Sequence, residues 1–176
     1  MSYIAPEQLT WVVVADVHGN HPTLRALLEK VGLIDELGRR RQGYWSCQLG
    51  DLLHLGEDVW EADLATLQLG LEAFDCLLLG NHELPFATPI KLGFSSMHER
   101  LAPALQDLLE QSFATGRYQL AACAGETLIT HAGLAPGWLS QPYVPPELLD
   151  PSSPGVSQLL AAHLNRRLAE RLVSGR

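Results

Sequence analysis

Cations are scarce in this chain of 176 residues. Twelve Lys+Arg stand against 20 Asp+Glu, a formal net charge of −8. A surface so short of positive charge disfavours duplex nucleic acid or an anionic membrane as a main partner, because phosphate backbones and headgroups attract a surplus of cations. Charge of either sign is modest at 18% of residues, which excludes a highly solvated tail. Cysteine is rare too. Cys47, Cys76 and Cys123 form an odd set with no CxxC pair, so zinc-ribbon and thioredoxin readings fail. Each lies in an apolar run, where a reduced, buried thiol is expected, and a reducing cytoplasm follows as the expected compartment. Long hydrophobic runs are missing: Asp16 ends the run Trp11–Ala15 long before it spans a bilayer. The opening Met-Ser-Tyr-Ile-Ala-Pro lacks the basic and apolar regions of a signal peptide. What the chain does have is apolar material, 47% of residues. At this length that suffices for a packed core without disulfides.

Short apolar runs alternate with amphipathic stretches. Trp11–Ala15, with β-branched Val12, Val13 and Val14, reads as a buried strand that ends abruptly at Asp16-Val-His-Gly-Asn. Leu24, Leu27, Leu28 and Val31 predict the inner stripe of a helix from Pro22 to Val31, closed by Gly32. Tyr44–Leu49 is a second strand, and a helix from Val59 to Ala73 carries Trp60, Leu64, Leu67 and Leu71 on one face. Phe74–Leu79 is the third strand. This order predicts parallel strands covered by helices, with polar residues delivered at the carboxyl ends, where open α/β sheets place their sites. Further on, Ser96-Met-His-Glu99 has the form of a capping box leading a helix to about Ser112. Tyr118–Cys123 and Glu126–Thr130 predict a hairpin. Residues 136–155 read as an irregular loop, and Leu160, Leu164, Leu168 and Leu172 mark a last helix. A single domain is expected over 1–176, with its motifs within 10–137 and a C-terminal loop and helix over 138–176.

Four strand ends supply Asp16-x-His18-Gly-Asn20, Gly50-Asp51, Gly80-Asn81-His82-Glu83 and His131-Ala-Gly133. Singly, each is an ordinary turn. Together, at the ends of separate apolar runs, they predict a two-metal site. Carboxylate, imidazole and amide oxygen suit Mn²⁺, Fe or Zn²⁺, whereas an all-oxygen set suits Ca²⁺ or Mg²⁺ better.

The clusters, their order and their spacing resemble the calcineurin-like metallophosphoesterase superfamily. The nearest branch is the phosphoprotein-phosphatase type, which includes bacterial serine/threonine phosphatases and dinucleoside-tetraphosphatases. The resemblance runs from Thr10 to about Gly137. It implies an α/β fold, a metallophosphoesterase-type β-sandwich flanked by helices, and two divalent metal ions, Mn²⁺ first, with Fe or Zn²⁺ as alternatives. It implies that Asp16 and His18 hold the first metal, Asp51 bridges both, and Asn81 and His131 hold the second. His82 is then the acid at the leaving oxygen, or otherwise steadies the phosphoryl group. Two cations about 3.5–4 Å apart activate a bridging water and clamp the phosphoryl oxygens, so a metal-bridging hydroxide attacks phosphorus directly. The expected function is hydrolysis of a phosphomonoester or phosphoprotein.

The sequence departs from that pattern in places. The family's GDxxDRG reads Gly50-Asp-Leu-Leu-His54-Leu55-Gly56 here. His54 replaces the aspartate that orients the acidic histidine, Leu55 replaces a phosphate-binding arginine, and Leu79 stands where a second arginine often precedes GNHE. Of the seven histidines, 18, 21, 54, 82, 98, 131 and 163, none fits the family's later metal-binding histidine. His163 reads as a solvated helix residue, and His21 and His98 as helix-start residues. The expectation is a C-terminally shortened member lacking its last strands; the alternative has His54 or a water fill the empty position. Arg25, Arg100 and Arg117 are candidates for the phosphate grip, against a reading of all three as solvated. Glu57 and Asp58 are candidates to orient His82. Trp11, Trp45, Trp60 and Trp138 are assigned to core or loop contacts. Two competing readings remain. One is a degenerate phosphoesterase fold acting as a binding or scaffold module. The other is a Rossmann or flavodoxin-like domain, which needs a Gly-rich phosphate loop where this chain has Asp16 and His18.

Overall fold

In a computed structural model, residues 9–54, 59–87, 102–134, 144–148, 150 and 154–174 are described. β1 (Thr10–Val14), β2 (Tyr44–Gln48), β3 (Cys76–Leu78) and β4 (Tyr118–Gln119) form one sheet in the order β1-β2-β3-β4. All three pairings are parallel. The β-branched run in β1 alternates faces: Val12 and Val14 enter the main core, while Trp11 and Val13 stay exposed on the other face. Trp11 pairs in register with Trp45, and their rings stand 4.7 Å apart.

Two helices cover the core face. α1 (His21–Lys30) is capped by Asn20, whose side chain accepts from the Thr23 N–H. It buries Leu24 and Leu28; Leu27 and Val31, expected on the inner stripe, are exposed. α2 (Trp60–Ala73) buries Asp63, Thr66, Leu67, Leu69, Gly70 and Ala73. Trp60 is exposed rather than inward, and Leu64 and Leu71 are only partly buried. The third strand is shorter than expected because Phe74 caps α2 in extended geometry. Arg117 donates to the carbonyls of Leu71 and Phe74 at that helix end, so it is neither a phosphate grip nor a solvated residue.

α3 (Leu84–Ala87) follows β3, and α4 (Pro103–Ala114) leads to β4. The predicted hairpin is divided. Tyr118–Gln119 joins the parallel sheet, whereas β5 (Ala121–Ala124) leaves it and pairs antiparallel with β6 (Thr127–Thr130). A small cluster of Cys47, Cys76, Leu78 and Ala122, flanked by Trp45, Leu49 and Ile129, joins the two sheets. α5 (Val156–Ser174) packs on β5 and β6, and a 3-10 turn (Pro146–Leu148) packs on α5. Leu160, Ala161 and Leu164 of α5 enter a second core, while Leu168 enters the main one. A helix serving two cores buries a wide arc, and that is why His163 is only 6% exposed instead of solvated.

Asn165 of α5 ties down the point where the chain changes sheets. Its side-chain oxygen accepts from Leu120 N–H at 2.9 Å and Ala121 N–H at 3.1 Å, and its amide donates to the Ala121 carbonyl at 2.8 Å. Asn165→Leu strands those backbone groups, and a stability loss of about 2 kcal/mol or more is expected in urea unfolding. An unchanged midpoint would show that the crossover is held by other contacts.

The Ser96–Glu99 helix start, Leu55, Glu57, Asp58, His98, Arg100, Trp138 and most of the 136–155 loop lie outside the described residues. No helix among the described residues is long and apolar enough to cross a membrane.

Candidate metal centre

The strand ends are joined before any side chain is considered. The N–H groups of Val17 and His18 both donate to the Asp51 carbonyl at 3.0 Å, and Gly19 N–H donates to Leu52. His18 and Asp51 have positive φ, 50° and 51°, in a region that few non-glycine residues occupy and that clusters at functional sites. The glycines explain how closely the loops approach. A Cβ on Gly50 would lie 2.6 Å from His131 Nδ1, and one on Gly80 would collide with the backbone nitrogen and carboxylate of Asp51.

Two buried side chains frame this turn, and the sequence reading gave neither a role. Glu83, wholly buried, accepts from the N–H groups of Asp51, Gly80 and Leu53 at 3.0–3.1 Å. Its carboxyl is pushed up from the usual range, mainly by burial, with the nearby Asp51 charge adding to the effect. Gln48 donates to the Gly50 carbonyl at 2.7 Å and accepts from Gly50 N–H at 2.9 Å. The signal for Glu83 was present, as an acid closing the Gly-Asn-His-Glu cluster. Nothing in the sequence marks Gln48.

Around this frame all the expected ligand residues meet. Donor atoms of Asp16, His18 and Asp51 lie within 4.8 Å of one another. His131 Nε2 is 3.8 Å from Asp51 Oδ1 and 3.2 Å from Asn81 Oδ1. Asp51 is thus shared by both groups, its side chain only 6% exposed, whereas Asp16 and His18 open to solvent. His82 N–H donates to Asp51 Oδ1 at 3.0 Å, and its Nε2 stands 4.0 Å from Asp51 Oδ2.

Ring tautomers follow from the partners. His131 Nδ1 faces the Leu49 carbonyl at 2.8 Å and His82 Nδ1 faces the His54 carbonyl at 3.0 Å. A carbonyl only accepts, so each Nδ1 carries the proton and each neutral ring presents a lone pair on Nε2, the arrangement usual for metal-binding histidine. His131 Nε2, Asn81 Oδ1 and Asp51 Oδ1 then turn lone pairs on one another. A cation lying among them would relieve that repulsion, and the mixed nitrogen and oxygen chemistry fits a divalent transition metal.

His54 does not join Asn81 and His131. Its ring groups instead with His18 and His82, so among the described residues it leaves the second ligand group as the sequence reading had it. Its backbone carbonyl faces His82 Nδ1 at 3.0 Å; Glu57 and Asp58, expected to orient this ring, lie outside the described residues. Arg25 pairs with Glu29 and the Glu36 carbonyl, and so, like Arg117, it is engaged away from the donors. A cavity of about 610 Å³ lined by Phe86, Phe113, Tyr118, Asn165 and Leu168 contains none of the donor residues. The titratable groups converge at the strand ends instead.

No curated protein and no solved structure matches the chain. The model of one protein family does, the calcineurin-like phosphoesterases, over residues 9–166. That span takes in every strand end that contributes a donor, and the parallel sheet with its flanking helices is consistent with the family's fold. The chain therefore belongs to the calcineurin-like phosphoesterases, a family of metal-dependent phosphoester hydrolases.

Proposed function

We propose that the protein hydrolyses a phosphomonoester or a phosphoprotein, with divalent cations held by Asp16, His18, Asp51, Asn81 and His131. The observation that carries this reading is the meeting of lone pairs from separate strand ends around the Asp51 carboxylate. Bound cations would supply a nucleophile at neutral pH and neutralise charge on the phosphoryl oxygens. Asp51 is the pivot, buried and held by the frame of Glu83. Asp16, His18 and Asn81 are exposed, so the centre is open enough for an ester displayed on another protein or a small molecule. His82 donates the proton to the leaving oxygen from Nε2 when its ring carries both protons, its Nδ1–H staying on the His54 carbonyl. The His54 carbonyl accepts from its Nδ1–H and so orients the ring.

The donor set favours Mn²⁺, with Fe or Zn²⁺ as alternatives. A phosphorylated substrate suits the acidic surface better than a nucleic-acid duplex or a membrane. The free thiols of Cys47, Cys76 and Cys123 support a reducing cytoplasm. One observation favours the scaffold reading instead: Arg25 and Arg117 are both committed elsewhere, so neither grips phosphate.

Hydrolysis of p-nitrophenyl phosphate, normalised to bound metal, separates the two. Turnover with Mn²⁺ and its loss on chelation are expected. A metal-loaded protein with no turnover of this or of a phosphopeptide would establish the scaffold reading.

A further inference from the structure

Three imidazoles that the hydrolytic reading does not need together are gathered at one edge of the centre. Ring nitrogens of His18, His54 and His82 lie within 4.8 Å of one another. The ring centroids are 4.8 Å apart for His18 and His82, 6.1 Å for His54 and His82, and 6.4 Å for His18 and His54. They form a triangle, not a stack. Each ring comes from a different segment: the turn after β1, the loop after β2 and the turn after β3.

Core packing does not explain the gathering, because His18 and His54 are exposed and His82 is half-buried. The backbone beneath them is fixed. His54 N–H donates to Asp63 Oδ1 at 2.9 Å, and Asp63 is wholly buried on α2. His18 N–H donates to the Asp51 carbonyl. His82 is held at both its backbone N–H and its Nδ1, which leaves Nε2 as the ligating nitrogen. Three imidazoles gathered in this way select late first-row dications over Mg²⁺ or Mn²⁺. The carboxylates of Asp16 and Asp51 stand just outside, 3.9 Å from His18 Nε2 and 4.0 Å from His82 Nε2, respectively.

We propose that His18, His54 and His82 form a transition-metal site of their own, taking Cu²⁺ or Zn²⁺, beside the oxygen-rich donors around Asp51 and sharing only His18 with them. Filling this site occupies Nε2 of His82, so the ion inhibits hydrolysis. That inhibition rests on the proposed function; the binding does not.

The test uses the full chain, free of any polyhistidine tag, in excess Mg²⁺ so that a hard cation occupies the oxygen donors. Zn²⁺ is added to unmutated protein, and the ring nitrogens are followed by nitrogen-15 NMR. Shifts at His18, His54 and His82, saturating at one ion per chain, are expected. Shifts confined to His131, or none, would overturn the site. Independently, His54→Gln replaces an exposed ring and is checked by its melting curve. It is expected to weaken Cu²⁺ binding roughly 10- to 100-fold, at least the loss that removing an outer-sphere partner causes. The nitrogen couplings in the electron paramagnetic resonance spectrum should fall by one. Equal affinity and an unchanged spectrum would refute the proposal. Intact Cu²⁺ binding in a protein that, before any Cu²⁺ or Zn²⁺ is added, hydrolyses nothing with Mn²⁺ would sink the hydrolytic reading and leave this site standing.

Discussion

Asp51→Asn is expected to lower phosphoesterase turnover about a thousandfold or more while leaving the fold intact. Asparagine keeps the oxygen that accepts from His82 N–H, and it tolerates the positive φ of this position. The charge is lost, and one of the two ligating oxygens becomes an NH2 group that cannot hold a cation. That charge is central: the carboxylate is shared by the Asp16–His18 group and the Asn81–His131 group. A carboxylate holding catalytic cations contributes several kcal/mol of charge stabilisation, and about 4 kcal/mol corresponds to a thousandfold. The measurement is kcat alongside metal content and a thermal melt. Wild-type turnover in a folded Asp51→Asn protein would remove Asp51 from the mechanism. Lost turnover with lost folding would send the question to the more exposed Asp16, where Asp16→Asn disturbs less of the frame.

Glu83→Ala is expected to be the most destabilising single change in the centre, by about 4 kcal/mol or more. It leaves the buried N–H groups of Asp51, Leu53 and Gly80 without their acceptor and opens a cavity under the turn. Each stranded donor costs about 1–3 kcal/mol and the lost volume adds to that. For a chain of this size each kcal/mol shifts Tm by about 2–4 °C, so a drop on the order of 10 °C or an insoluble product should be seen. Glu83→Gln keeps the volume and one acceptor oxygen, so its loss should be clearly smaller. Equal melting of Glu83→Ala and the parent would mean that the strand ends hold together without this carboxylate.

Much of the fold was legible because its signals are local. Val12, Val13 and Val14 announce a strand, and Asp16 ends it. Asn20 and Pro22 start α1 within a residue of the expected place. The ligand types were legible for the same reason, since each sits directly after an apolar run. Failures came where a distant partner decided. Tyr118–Cys123 is one apolar run, yet Asn165 of α5, far away in sequence, holds the point where it passes from one sheet to the other. Arg117 looked free because the helix end it caps comes from α2. His163 looked solvated because Arg166, Arg167 and Glu170 follow it on its own helix. Its burial follows from α5 touching two cores.

The sequence alone determined which residue types stand at the strand ends, and hence the class of chemistry, because hydrophobic periodicity and turn residues act over a few neighbours. Only the tertiary structure decided how those ends are locked together. Glu83 closes three backbone donors from two loops, carbonyls of Leu49 and His54 set the tautomers of His131 and His82, and the His54 ring falls beside His18. Apart from Glu83 with Gly80, these are contacts between residues tens of positions apart, and no local pattern encodes which carbonyl will face which ring.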